Sequence, residues 1–385
     1  MQITRIRLKN WLNFREVEVA LAESTYVIGP NAAGKSNLLD VFRFLRTVSG
    51  PSGGGLSKAV VERGGLKKLR CMQARRDPEV RIQVRVVSGA GEAQETWDYT
   101  LGFKSEGTGR QRPVVTEEKI DLNGKGVLKR PNKEDAADKE RLTQTHLEQV
   151  GANVRFRALA EFFASTTYLH LVPQLLKFAD RIGGGNRLEA DPFGQGFLEG
   201  LARTPTNTRN ARLKKIQRVL EKAVPQFQEL RFIRDEVTGL PHLEARYKHW
   251  RPQGAWHRED QFSDGTLRLI ALFWSMLAGD SILLLEEPEL SLNDAIVSQI
   301  PLMIDRIKRQ AKYRRQILVT THSEVLLGNP IDGSSILLVM PTDDGSEIRG
   351  PNERELAMLN EGLLPSEILL PKARPKEAEY LGLFK

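Results

Sequence analysis

One cysteine, Cys71, occurs in 385 residues, so no internal disulfide can staple the chain and the core has to come from apolar packing. Long apolar runs are scarce as well. The most apolar stretch, Leu267 to Leu285, is broken by Arg268, Gly279 and Asp280, and falls short of the roughly 20 residues a membrane helix needs. It reads instead as a buried helix followed by a buried strand. No N-terminal apolar stretch resembles a secretion signal, and no internal repeat is evident. The expectation is a protein of the reducing cytoplasm with no membrane partner. Acidic charge is the minority: 49 Asp and Glu against 57 Lys and Arg leave a net +8, which favours polyanionic partners or serves solubility alone.

With 40% hydrophobic residues the chain can bury a large core, as one big domain or two to three smaller ones. It opens on alternating segments. Ile3, Ile6 and Leu8 lie in one short run, Val17, Val19 and Leu21 in the next, with a turn over Asn10 to Phe14 between them. Ser24 to Ile28 makes a third strand, and Asn37 to Leu45 a helix too apolar for the surface. Alternation returns at Val80 to Val86 and Trp97 to Phe103, and Asn123-Gly124 signals a hairpin, which places an antiparallel β subdomain at about 78 to 130. Pro131 to Phe163 reads as mostly helical. Arg181 to Pro205, with Gly183-Gly184-Gly185, reads as a loop or hinge. A basic helix follows to about Ala223, with Thr206 and Asn207 as its N-caps, and then a hairpin of Leu230 to Arg234 and His242 to Tyr247. From Phe262 onward helix and strand alternate, which is α/β architecture.

Four elements carry chemistry. Gly29-Pro30-Asn31-Ala32-Ala33-Gly34-Lys35-Ser36 satisfies G-x-x-x-x-G-K-[ST] in full, between a strand and a helix. Such a loop converges its backbone N–H groups on a phosphate, and the positive end of the helix adds to the field. Lys35 then reaches the β and γ phosphates, and the Ser36 hydroxyl ligates Mg2+. Ser281 to Glu289 reads as a buried strand that delivers acids at its C-terminal end, where open α/β sheets bind ligands. Glu286 is placed to hold Mg2+ directly or through water, and Glu287 to orient and deprotonate an attacking water. Gln316 to Ser323 is a second buried strand with a polar end. His322 there can hydrogen-bond a γ phosphate, although a lone histidine in this setting is more often a satisfied buried group. Phe262-Ser263-Asp264-Gly265-Thr266 is a capped helix start, an anion site or a cap and nothing more.

Taken in order, these elements resemble the ABC-type ATPases of the SMC, RecF and OLD group, and most of all stand-alone OLD-like AAA ATPases without a Toprim nuclease domain. The opening "ITRIRLKNWLNFREVEV" and "IGPNAAGKSNLLDVF" carry the likeness, which covers residues 1 to 50 and 258 to 330 well and the middle poorly. The resemblance implies an α/β fold, an ABC-type P-loop ATPase head with an antiparallel β subdomain and a helical insertion. The corresponding division is 1–130 as the first half of the head, 131–228 as the insertion, 229–345 as the second half and 346–385 as a tail. It implies ATP and Mg2+ as cofactors and a homodimer or higher oligomer that sandwiches ATP. Gly29, Asn31, Gly34, Lys35, Ser36 and Asn37 would bind nucleotide, joined by Ser263 and Gly265 from the facing head. Ser36 and Glu286 would hold the metal. Lys35, Glu287 as general base and His322 as switch would be catalytic, in slow hydrolysis that needs the dimer.

The sequence departs from that group in places. Glu286 stands where ABC proteins usually carry aspartate, Leu290-Ser291-Leu292-Asn293 replaces the frequent Leu-His-Pro, and Gln174 is the one candidate for a Q-loop glutamine. There is no heptad run for a coiled-coil arm, and no Asp-x-Asp follows His322. Two roles remain open. One is an ATP switch on nucleic acid in repair or genome protection, which the basic helix at 209 to 222 and the strand face of Arg81 and Arg85 would serve if they are more than solvated surface. The other is a regulatory ATPase of antiphage defence that controls a separately encoded effector. Its apolar tail, Tyr380, Leu381, Leu383 and Phe384, would dock on that partner or pack on its own core.

Overall fold

The computed structural model describes residues 1–50, 53–74, 77–107, 111–177, 196–248, 255–279, 281–310 and 315–374. The Gly183-Gly184-Gly185 segment and the apolar tail from Tyr380 lie outside the described residues. In chain order the strands are β1 Gln2–Trp11, β2 Phe14–Ala20, β3 Ser24–Ile28, β4 Val80–Ser88, β5 Glu95–Ser105, β6 Pro113–Leu122, β7 Lys125–Arg130 and β8 Thr167–Leu169. There follow β9 Phe227–Arg234, β10 Pro241–Tyr247, β11 Trp256–Arg258, β12 Leu283–Glu286, β13 Ile317–Thr321, β14 Ile336–Thr342 and β15 Gly345–Arg349. Among the described residues no helix is long and apolar enough to cross a membrane. The chain divides into two compact units: Met1–Thr166 with Asp280–Leu284 and Lys312–Lys385, and Thr167–Gly279 with Leu285–Ala311.

The first unit contains an antiparallel sheet in the order β2-β1-β4-β5-β6-β7. Its two faces follow from the alternation in the sequence. Ile6 opposes Val84 and Leu8 opposes Ile82, and these residues are fully buried or nearly so. A bulge between Ile3 and Arg5 shifts the pleat by one residue, which lets Ile3 and Ile6, three apart, both turn inward. The helix α1, Lys35–Val48, lies on the apolar face, where Phe44 stacks on Phe103 with ring centroids 5.5 Å apart and meets Trp11 edge-on at 5.1 Å.

On the opposite face cations and carboxylates oppose one another across strands: Arg7–Glu16 at 2.7 Å, Arg81–Glu117 at 2.9 Å and Arg85–Asp98 at 2.7 Å. Arg81 and Arg85, read from sequence as a basic strand face, are therefore charge-matched by neighbours that come from other strands.

Arg130 closes this sheet from inside. Its side chain is fully buried, with Nη1 donating to Glu118 Oε2 at 3.0 Å, Nη2 to Asp135 Oδ1 at 2.8 Å and Nε to Asp135 Oδ2 at 3.1 Å, while the Gln144 and Arg141 carbonyls accept the second N–H of Nη1 and of Nη2. Burial holds the Glu118 carboxyl above its ordinary value, against Arg130 and against the His146 and Leu147 N–H groups that donate to it. The region after β7 winds around this cluster, and so its helical character comes in short pieces, Lys133–Ala137, Lys139–Thr143, Val154–Phe156 and Arg157–Ala164.

The unit's other strands form a mostly parallel array, β15-β14-β3-β13 continuing into the start of β12. Gln316 ties the array to β1: its Oε1 accepts from Ile3 N–H at 2.9 Å, and its Nε2 donates to the Ile3 and Ala22 carbonyls.

In the second unit a three-stranded sheet, β11-β10-β9, supports the helices α2 Pro173–Lys177, α3 Thr206–Ala223 and α4 Asp264–Leu277. Leu213, Ile216 and Leu220 of α3 share a core with Leu230, Leu243, Leu267 and Ile270. Helix α3 begins at Thr206 with Pro205 at the cap position and no side-chain cap, so the expected N-caps Thr206 and Asn207 are already helical; the fixed φ of proline starts the turn in their place.

Arg130→Met should lower the unfolding free energy by about 3–5 kcal/mol, because Glu118 and Asp135 stay buried without their counter-charge. Urea denaturation should show this as a lower midpoint with an unchanged m value.

Candidate functional site

β3 is buried along its whole length, between β13 and β14, and runs parallel to both. Thr321 opposes Ile28, so His322 and Gly29 leave neighbouring strand ends at one level, with the strands about 4.8 Å apart. His322 is exposed there, whereas Thr320 and Thr321 are fully buried.

The chain can turn away from β3 only through glycine. A Cβ on Gly29 would lie 2.3 Å from the Val339 carbonyl oxygen, a distance no side chain tolerates. Further round, Ala32 has φ 62 and Gly34 φ 110, the left-handed backbone that curls the loop. Lys35 is 7% exposed, and its Nζ donates to the Gly29 carbonyl at 2.9 Å and the Pro30 carbonyl at 3.1 Å. Helix α1 starts at Lys35 with no side-chain cap and no acid in its first turn, so the positive end of the helix dipole faces the loop. Ser36 and Asn31 are exposed beside it, while the Asn37 side-chain amide donates to Asn13 Oδ1 at 2.8 Å. A close-approach glycine, a curled backbone, the positive end of a helix and a nearby ammonium together suit a polyphosphate.

In the second unit, Glu286 ends β12 beside β8 and accepts a hydrogen bond from the Tyr168 hydroxyl. Glu287 follows in the left-handed region at φ 45, a conformation unusual for a side chain of its size. Ser263 caps α4: its Oγ accepts from Thr266 N–H at 3.1 Å and pairs with Thr266 Oγ1 at 2.8 Å. A serine oxygen offers two lone pairs and one hydrogen, so it can cap through the lone pairs and still donate outward. A Cβ on Gly265 would come within 2.9 Å of the Ser291 carbonyl oxygen, which brings the helix start against the loop after the acidic strand. Asp264 is held by Gln174 Nε2 at 2.9 Å and Lys177 Nζ at 2.7 Å.

Asn13, Tyr168 and Lys177 belong to these settings and were not singled out from the sequence. Tyr168 sits on a strand of three residues, too short for any periodicity to register, and Lys177 was one cation among many.

Residues 24–328 match the family described as "AAA domain, putative AbiEii toxin, Type IV TA system". No curated protein matches the chain in sequence. Among solved structures, the Smc head bound to the C-terminal winged-helix domain of ScpA is 16% identical with a TM-score of 0.54, over 92% of this chain and 99% of that one. The Smc head with an extended coiled coil bound to the C-terminal domain of ScpA, from Pyrococcus furiosus, is 15% identical with a TM-score of 0.52, over 93% and 98%. At such identity the likeness is one of fold: an α/β P-loop ATPase head, as the resemblance had implied.

Gly29→Ala should cost about 1–3 kcal/mol of stability through the clash with Val339 and abolish ligand-induced stabilisation. Thermal melting with and without Mg2+-ATP tests this; wild-type behaviour in both conditions would contradict the close approach.

Proposed function

This chain belongs to the AAA-domain family with the putative AbiEii toxin description, and we propose that its ATPase is a switch which pairs two heads around ATP and acts on nucleic acid. The observation that carries the reading is the Gly29–Ser36 loop at the end of β3, with Lys35 folded onto it and His322 level with Gly29 on the neighbouring strand. In this reading Gly29, Asn31, Gly34, Lys35, Ser36 and Asn37 hold the nucleotide. Mg2+ at such a site is bound by one or two protein oxygens together with substrate phosphates and water. Ser36 and Glu286 would supply the protein's share, and the bound Mg2+ would neutralise developing phosphate charge.

Glu287 takes the proton of the attacking water. His322 donates to the γ phosphate and registers its departure. Ser263 and Gly265 meet the γ phosphate bound to a second copy, with the Ser263 hydroxyl hydrogen turned outward while its lone pairs keep the helix cap. Hydrolysis is then slow and depends on pairing.

The nucleic-acid part of the reading draws on α3. Its outward face carries Lys214, Lys215, Arg218 and Lys222, all exposed and none in an ion pair among the described residues. Lys214, Arg218 and Lys222 recur every four residues and span about 12 Å at 1.5 Å per residue. A second reading, regulation of a separately encoded effector in defence, is favoured by the toxin and TA wording attached to the family.

Glu287→Gln should retain ATP and accumulate as a dimer in size-exclusion chromatography, with turnover down about 100-fold or more, whereas Lys35→Ala should bind ATP poorly and stay monomeric. Full turnover by the Glu287 variant would reject that base assignment. With ATP present, binding to duplex DNA should weaken with salt at a log–log slope of about −3, and the pair Lys214→Glu and Arg218→Glu should flatten that slope. Salt-insensitive or absent binding would favour the effector reading.

A further inference from the structure

The turn of the first hairpin reaches the phosphate loop through a single side chain. Asn13 Nδ2 donates to the Ala33 carbonyl at 2.7 Å and to Ser346 Oγ at 2.8 Å, and Asn13 Oδ1 accepts from Asn37 Nδ2 at 2.8 Å. A primary amide has two N–H hydrogens and one carbonyl, and here all three are engaged. The Asn13 backbone carbonyl accepts from Ser346 N–H at 2.8 Å.

The turn that presents Asn13 is itself pinned. Leu12 sits at φ 49 with its N–H on the Leu69 carbonyl at 2.7 Å, and the buried Trp11 donates from Nε1 to the Asn37 carbonyl at 2.9 Å.

The Ala33–Gly34 peptide is trans, so its C=O and its N–H point in opposite directions. Fixing the Ala33 carbonyl on Asn13 therefore aims the Gly34 N–H away from Asn13. The fit is close enough that a Cβ on Gly34 would fall 2.2 Å from Asn13 Nδ2. Gly345 is cut to the same seat, since a Cβ there would lie 2.5 Å from the Asn13 carbonyl oxygen. The Ala33 carbonyl can only accept, and so it sets which way round the amide lies, while Ser346 Oγ takes the second N–H and holds the side chain in place.

We propose that Asn13 is a positioning residue of the ATPase. It orients the 33–34 peptide so that the Gly34 N–H is ready for a phosphate oxygen, with Ser346 holding the second N–H of the amide and neither residue touching nucleotide. This rests on the reading that Gly29–Ser36 holds the phosphates.

The test is Mg2+-ATP binding by calorimetry and steady-state hydrolysis for Asn13→Ala, Asn13→Asp, Ser346→Ala and Lys35→Ala, each checked for folding by circular dichroism. Asn13→Asp retains the acceptor for Asn37 but has no hydrogen for Ala33. Both Asn13 variants should raise Kd and KM about 10-fold or more while kcat at saturating ATP stays within about 3-fold, and Ser346→Ala should shift Kd in the same direction by about 3-fold. A merely structural loss would lower the active fraction, and with it kcat, at unchanged KM. Folded Asn13 and Ser346 variants with wild-type Kd, beside a Lys35→Ala variant that has lost binding, would overturn the proposal. If Lys35→Ala also binds as wild type, the phosphate-loop reading fails instead. Should neither Asn13 variant fold, the Ser346→Ala affinity decides.

Discussion

β3 has neighbours on both edges, and both run parallel to it. Five consecutive buried residues can lie there only if every backbone N–H and C=O along them is paired, and β13 and β14 provide that pairing from the far end of the sequence. From this one arrangement follow the level of Gly29 beside His322, the closeness of Val339 that forbids a side chain at 29, and the direction in which α1 sets off. A slip of one residue between β13 and β3 would turn each side chain to the wrong face and separate the two polar strand ends. Gln316 guards against such a slip, since its amide measures the start of β13 against Ile3 and Ala22.

Local pattern was legible in the sequence where the physics is local. The alternation of Val80 to Val86 and Trp97 to Phe103 foretold a sheet with one dry face, Ser24 to Ile28 foretold a buried strand, and the eight-residue glycine motif foretold the loop between strand and helix. What stayed hidden depends on partners far apart in the chain. Asn13 meets Ala33 twenty residues on and Ser346 more than three hundred on, and Tyr168 meets Glu286 across 118 positions. Nothing about an asparagine in a hairpin turn, or a tyrosine in a three-residue strand, signals such a partner beforehand. The short helical pieces after β7 were hidden for a related reason: a fully buried arginine with two acids organises them, and burial of a charge is invisible to composition.

Charge illustrates the difference between an inventory and a distribution. The excess of cations reads as an affinity for polyanions, yet much of the strand-borne charge is cancelled across the outer face of the antiparallel sheet, where Arg7, Arg81 and Arg85 each oppose a carboxylate. Such a ladder keeps a broad flat surface hydrated without making it sticky. On α3 the situation is reversed, because its inward face consists of Leu213, Ile216 and Leu220 and its outward face holds unmatched lysines and arginine. Along α3 the cationic face is therefore left without the carboxylate partners that the antiparallel sheet supplies to its own arginines.

The parallel pairing of Ser24 with Ile317 also sets a clock for synthesis. These positions are about 290 residues apart, and at roughly 5–20 residues per second a ribosome needs on the order of 15–60 s to travel between them. For that interval β3 is a made but unpaired apolar strand. The antiparallel sheet, whose strands are all translated by Arg130, needs no later segment for its own pairing and offers the apolar side of α1 a surface through the Phe44–Phe103 stack long before β13 exists.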